Sequence, residues 1–188
     1  MGMDASRLTL REIVLRTVVV HTTTYMLVGA IAFAALDYPT LFAEPWFRGF
    51  FRPINDPMVM AGPLFQPIRG ALFGVVFYLL RVSLFGRKHG WATMWIILVI
   101  VGVLSTFGAA PGSVEGLIYT TVPVSVQLGG GLLEVLVQSL LLSFGVSYWV
   151  THPGQRWLTL GFWVVFVIML ALPALGLLVG QGLFPTTS

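Results

Sequence analysis

Five apolar segments dominate this chain of 188 residues. A helix that crosses a bilayer needs about 20 apolar residues, because the hydrocarbon core is roughly 30 Å thick and a helix rises 1.5 Å per residue. The connections between the segments are too short to form a soluble domain. We therefore predict one all-α integral membrane domain over residues 1–188, a polytopic helical bundle of about five spanning helices, with approximate bounds 10–36, 58–84, 91–109, 132–150 and 157–184.

The composition supports a membrane location and excludes several kinds of site. Hydrophobic residues make up 57% of the chain and charged residues 9%, against roughly 25% charged in soluble proteins. The absence of cysteine excludes disulfides, thiolate metal sites, iron–sulfur clusters and cysteine nucleophiles. No phosphate-binding loop or dinucleotide fingerprint occurs. We expect no cofactor, no metal and no nucleic acid, and the bilayer as the main partner.

The first helix has a clear start signal. Thr9 and Glu12 form a capping-box pattern, which predicts a helix from near Leu10 to near Leu36. The loop that follows, residues 37–57, is rich in aromatic side chains and carries Arg48 and Arg52. It is typical of an amphipathic segment that lies on the membrane surface; the alternative is a flap over an opening between helices.

The basic residues predict the orientation. With the N-terminus in the cytoplasm, five spans place two arginines outside and most of the other basic residues inside, as the positive-inside rule requires. The C-terminus is then outside. The inner set is Arg7, Arg11, Arg16, Arg81, Arg87, Lys88 and Arg156, and the outer set is Arg48 and Arg52.

Arg69 lies within an otherwise apolar stretch and has two interpretations. A charge within a spanning helix is costly, so it reaches the interface or meets a partner inside the protein. If Pro67 begins the regular helix, Arg69 lies in the first turn and snorkels outward while Arg81 snorkels inward. Alternatively, Arg69 pairs with Glu115 or Glu134, which the topology places on the same side.

Glutamine side chains extend the same polar region. Gln66 lies three residues before Arg69, and Gln138 lies four after Glu134, so each pair shares a helical face. These residues predict a polar outer-leaflet site that binds substrate; no catalytic residue is assigned. The candidate binding residues are Arg69, Glu115, Glu134, Gln66 and Gln138.

Residues 110–131 are apolar but interrupted. Pro111, Pro123 and three consecutive glycines break any long helix there. A re-entrant piece, a loop and a sixth span all stay open. Ser113 and Glu115 have no neighbouring histidine or lysine, so they form no nucleophile–base pair.

His21 shares a helical face with Thr17, Thr24 and Tyr25. A structural histidine within a polar stripe is favoured over a metal ligand, because no ligand spacing accompanies it.

Small residues predict close helix packing. Their partner is another helix of this chain, a membrane subunit or a second copy. The positions are Gly70, Gly74, Ser139, Ser143 and Ser147.

Three functions remain open. The first is binding or movement of a small molecule or lipid at the outer-leaflet site. The second is an accessory or scaffolding role in a larger membrane complex. The third, least favoured, is an intramembrane enzyme that uses a carboxylate as acid or base.

Overall fold

A computed structural model describes residues 4–49 and 51–180, the last two by backbone only, and these ranges contain helices and turns but no strand. The helices are α1 (Leu10–Ala35), α2 (Tyr38–Ala43), α3 (Pro45–Arg48), α4 (Pro57–Met60), α5 (Gln66–Leu79), α6 (Arg81–Phe85), α7 (Gly90–Val99), α8 (Val114–Tyr119), α9 (Val124–Gln127), α10 (Gly130–Thr151) and α11 (Arg156–Gly180). Two 3₁₀ turns (Ala5–Arg7 and Gly62–Phe65) and a π-helical turn (Ile100–Leu104) complete the set.

Three helical stretches are long and apolar enough to cross a membrane: Leu10–Ala35, Val124–Thr151 and Arg156–Leu178. They agree with an all-helical integral membrane protein. The total of five spans predicted from the sequence is not confirmed. The predicted end of the last helix, near residue 184, lies outside the described residues.

Prolines divide the second predicted span. Pro57, Pro63 and Pro67 each stand at the start of a separate helical piece, where a proline costs no hydrogen bond. The longest piece, α5, has 14 residues and is about 21 Å long, shorter than the roughly 30 Å core. Its start at Gln66 agrees within one residue with the predicted start at Pro67.

The third predicted span ends earlier than expected. The helix Gly90–Leu104 is apolar but is shorter than the helices that are long enough to cross a membrane. Its end is a π-helical turn in which the amide and hydroxyl of Ser105 donate to the Ile100 carbonyl, at 2.8 and 2.6 Å. The backbone then enters an irregular segment that continues to residue 113.

The predicted capping box of α1 is confirmed. The Thr9 hydroxyl accepts from the Glu12 amide at 3.3 Å, and the Glu12 carboxylate accepts from the Thr9 amide at 3.0 Å. The helix ends at Ala35, and Asp37 then adopts a left-handed conformation with φ of 45°. This conformation turns the chain sharply into α2.

Helix α1 is the centre of the bundle, because α5, α10 and α11 all pack against it. It runs antiparallel to α10: Arg16 donates to the Val150 carbonyl at one end, and Leu36 covers Gly130 at the other. It is also antiparallel to α5, since Gly70 faces Val18 and Gly74 faces Val14.

The close packing predicted at the small residues occurs within the chain. An added Cβ at Gly70 would lie 2.8 Å from the Val18 Cα, and one at Gly74 would lie 2.7 Å from the Val14 Cα. On α10, Ser139 and Ser143 are buried and Ser147 is half-buried. A role of these positions in binding another subunit remains a prediction.

The apolar core occupies one end of the bundle, where α1 begins and α5 and α10 end. Its largest members include Ile13, Phe77, Leu84, Met94, Leu142 and Trp149. In the middle of α1, from Thr17 to Thr24, buried polar side chains alternate with the apolar Val19 and Val20. Polar and apolar side chains therefore share the interior of the bundle around His21.

Residues 110–131 fold around one glutamine. The Gln127 amide, only 2% exposed, accepts from the Gly112 amide and donates to Thr120 and to the Val122 carbonyl. Such internal bonds satisfy irregular backbone. Whether this segment enters the bilayer stays a prediction.

Candidate functional site

His21 is fully buried at the junction of α1, α5 and α10. Its Nε2 lies 3.2 Å from Gln66 Oε1, and its Nδ1 lies 3.2 Å from Gln138 Nε2. One imidazole therefore joins three helices. His21 is 11 residues after Leu10, or about 17 Å along α1, so it lies near mid-depth of that span.

The hydrogen bonds also decide the tautomer. Gln66 Nε2 donates to the Gly62 carbonyl at 3.2 Å, so Gln66 Oε1 must face His21. His21 Nε2 must then carry the proton it donates, and Nδ1 is left to accept from Gln138. This arrangement suits a neutral imidazole, with both ring nitrogens hydrogen-bonded in the protein interior.

The Phe73 ring connects this network to Arg69. Phe73 meets His21 edge-on, with ring centroids 5.2 Å apart, and the Arg69 guanidinium lies 5.4 Å from the Phe73 centroid. Arg69 itself is exposed on the bundle surface, at the level of His21. A cation over an aromatic face gains electrostatic energy but is not neutralised.

Arg69 forms no ion pair with a described carboxylate; the pairs present are Arg7 with Asp4 and Arg52 with Asp56. The direct pairing of Arg69 with Glu115 or Glu134 that we considered is therefore not formed. Arg69 instead lies over the Phe73 ring, and Glu134 accepts a hydrogen bond from Tyr38.

Tyr25, one turn beyond His21 on α1, links the separated charges. Its ring centroid lies 6.2 Å from that of His21. Its hydroxyl interacts electrostatically with both Arg69 and Glu134. These two charged groups form no ion pair with each other.

Glu134 accepts a hydrogen bond from the Tyr38 hydroxyl. Its Oε1 also lies 3.8 Å from where a Cβ would stand on Gly29, so α10 and α1 are close here. Burial, and then the bond to Glu134, raise the pKa of the Tyr38 hydroxyl above its ordinary value. This bond fastens the start of α2 to the bundle.

Glu115 and Ser113 lie apart from this cluster. Ser113 caps α8: its hydroxyl accepts from the Gly116 amide at 2.9 Å and donates to the Ala110 carbonyl at 2.6 Å. Glu115 is half-buried in the first turn of α8. No described residue hydrogen-bonds its side chain.

Two threonines beside His21 are unusual. Thr17 and Thr24 donate to backbone carbonyls of α1, as threonines in membrane helices commonly do. Thr22 and Thr23 are also buried, but their hydroxyls have no partner among the described residues.

The structure thus places four of the five candidate residues around α1: Gln66, Gln138, Glu134 and Arg69. Sequence reasoning missed the role of His21 as the group that joins the two glutamines. The available signal was that Gln66 and Gln138 are uncharged polar residues within apolar helices. Within residues 4–49 and 51–180, no group of three metal-binding side chains occurs.

A comparison of the chain with protein-family models, curated proteins and solved structures found no match.

Proposed function

We propose that the protein binds, and in its function moves, a zwitterionic small molecule or lipid headgroup at the polar residues Arg69, Tyr25 and Glu134. The supporting observation concerns Arg69, Tyr25 and Glu134: the two opposite charges both interact electrostatically with the Tyr25 hydroxyl but form no ion pair. A ligand with an anionic and a cationic group would satisfy both.

Each charged group has a suitable chemistry. The Arg69 guanidinium, exposed on the bundle surface, presents several donors in one plane, the geometry that a phosphate or carboxylate accepts. Glu134 supplies an acceptor for an ammonium group, and Tyr38 already donates to it. The satisfied network around His21 holds α1, α5 and α10 in place beneath the site.

In this proposal the N-terminus is cytoplasmic and the C-terminus outside, as the arginine distribution predicts. Glu134, which lies beside Gly29 near the end of α1, is then on the outer side of His21. A ligand would reach Arg69 from the lipid, because this side chain is exposed on the surface of the bundle at the level of His21.

The proposal is tested by measuring which lipids remain bound. Wild-type protein, Arg69→Gln and Glu134→Gln are purified in mild detergent, and bound phospholipid is counted by native mass spectrometry. We expect zwitterionic phospholipid on the wild type and at least a tenfold loss in each variant. The control is Arg81→Gln, because Arg81 also lies over an aromatic ring, Tyr78 at 4.3 Å, but outside the site.

Equal lipid content in all four proteins would contradict the proposal. A loss of bound lipid in Arg69→Gln alone would indicate that the site binds a simple anion and not a zwitterion. Circular dichroism and thermal melting of each variant separate loss of binding from loss of the fold.

A second function, an accessory subunit of a larger membrane complex, is favoured by α11. In its most apolar part, within Arg156–Leu178, no residue is buried by the rest of the chain. Stoichiometric co-purification of a larger membrane protein, lost when the exposed face of α11 is altered, would support this function. The small-residue positions Gly70, Gly74, Ser139 and Ser143 are less suited to such contact, because they are buried within the chain.

A further inference from the structure

A separate cavity of about 440 Å³ lies in the segment that follows α1. Its volume is within the range of small-molecule sites. Its lining includes Phe42, Ala43, Arg48, Phe51, Ile54 and Asn55. None of these residues belongs to the cluster around His21.

The aromatic wall of this cavity is formed by packed rings. Phe42 stacks on Phe47, with ring centroids 5.5 Å apart and an angle of 10° between the ring planes. The ring centroids of Phe47 and Phe51 are 5.1 Å apart. Phe47 is only 6% exposed, so it anchors the wall. The apolar side of the cavity is therefore preformed.

The cavity also has one uncompensated cation. Of the two arginines in this segment, Arg52 is paired with Asp56, at 3.2 Å. Arg48 lines the cavity and forms no ion pair with a described residue, and no carboxylate is part of the lining. The cavity thus combines an apolar wall with a single positive charge.

The location determines which ligand reaches it. Helix α2 begins at Tyr38, three residues after α1 ends at Ala35, so the segment lies where a spanning helix leaves the bilayer. Aromatic residues with a nearby arginine are typical of this interface. The available molecules with both an anionic headgroup and an apolar tail are membrane lipids.

We infer that this cavity binds an anionic phospholipid, with the acyl chain against Phe42 and Ile54 and the phosphate at Arg48. The inference is independent of the proposed zwitterion site, because the two share no residue. An anionic lipid satisfies Arg48 without leaving a cationic group unpaired.

The natural absence of cysteine allows a direct test. Asn55→Cys is labelled with bimane, and the protein in detergent is titrated with dihexanoyl phosphatidylglycerol, dihexanoyl phosphatidylcholine or inorganic phosphate. We expect a saturable fluorescence change with phosphatidylglycerol, at least tenfold weaker binding of phosphatidylcholine, and no response to phosphate alone.

Matched variants are made in the labelled protein. Arg48→Gln should weaken phosphatidylglycerol binding at least tenfold, whereas Arg52→Gln should change it less than twofold. Arg69→Gln should leave this binding unchanged, which keeps the test separate from the proposed zwitterion site. Ile54→Trp, which fills the cavity, should abolish binding while the helical content stays the same.

Three results would overturn the inference. Equal binding of both lipids would show that the net charge of the headgroup does not determine binding. Binding of phosphate alone at similar strength would indicate a free-anion site. Equal losses in Arg48→Gln and Arg52→Gln would indicate diffuse surface charge instead of a defined cavity.

Discussion

Gln138 and His21 are 117 positions apart in sequence, yet Gln138 donates a 3.2 Å hydrogen bond to the ring of His21. This bond joins α10 to α1 in the interior of the bundle, where both residues are buried.

Gln138→Leu should lower the free energy of unfolding by about 1–3 kcal/mol, because the His21 acceptor is then buried without a donor. The measurement is reversible unfolding of the detergent-solubilised protein in SDS. Gln155→Leu is the control, since Gln155 is exposed and its side chain donates a hydrogen bond to the Tyr148 hydroxyl, at 3.4 Å.

The pairing is isolated by a double-mutant cycle of Gln138→Leu with His21→Leu. We expect the double variant to lose less stability than the sum of the two single variants. Simple additivity would mean that this contact contributes no coupling.

Gly70→Ala and Gly74→Ala should each destabilise the protein by about 1–3 kcal/mol, because the added methyl meets the α1 backbone and forces the helices apart. Thermal melting in detergent measures the effect. Gly161→Ala is the matched control: nothing lies within 4 Å of its added Cβ, so it should be neutral or stabilise by up to about 1 kcal/mol. A similar loss in all three variants would contradict the close approach of α5 to α1.

Tyr38→Phe should destabilise the protein by about 1 kcal/mol at neutral pH, because Glu134 loses its donor. The pKa of Tyr38 is raised in the fold, so the folded state favours the neutral phenol. This contribution is fully present below the ordinary pKa near 10 and is lost as the pH rises through the higher folded value.

Melting temperatures of wild type and Tyr38→Phe should therefore converge above about pH 10. Tyr119→Phe, at a site 73% exposed, is the control and should match the wild type at neutral pH. A constant difference between wild type and Tyr38→Phe from pH 7 to 11 would show that the hydroxyl acts without ionising.

Single cysteines should report the two ends of the bundle. Ala5 lies beside Gly86, and α10 ends where α1 begins; cysteines at Ser6, Lys88 and Gly154 should thus label with an impermeant maleimide from one side. Asn55→Cys should label from the other side. Thr187→Cys should label from the side of the membrane opposite to Ser6→Cys if the chain crosses the membrane an odd number of times.

Local signals predicted local structure well. The Thr9–Glu12 capping box marks the start of α1, and Pro67 marks the start of α5, because each acts within one helical turn. The same prolines explain why the apolar segment 58–84 is not one helix. A hydropathy pattern measures apolar length but not helix continuity.

The site was predicted only in part. Gln66 and Gln138 were selected for the faces they share with Arg69 and Glu134, but the structure joins them through His21. Which faces of two helices meet depends on their rotation and crossing, which distant packing contacts such as Gly70 on Val18 decide. Helix faces alone therefore could not show that Arg69 and Glu134 form no ion pair.

The long separation of His21 from its second partner also has a consequence for biogenesis. Ribosomes add about 5–20 residues per second, so Gln138 is synthesised roughly 6–23 s after His21. During that interval α1 is already made, and Gln66, 45 positions downstream, is the only one of the two glutamines available to the imidazole. Synthesis of the first helix therefore precedes its full stabilisation, and α10 supplies the second hydrogen-bond partner of His21 only late in assembly.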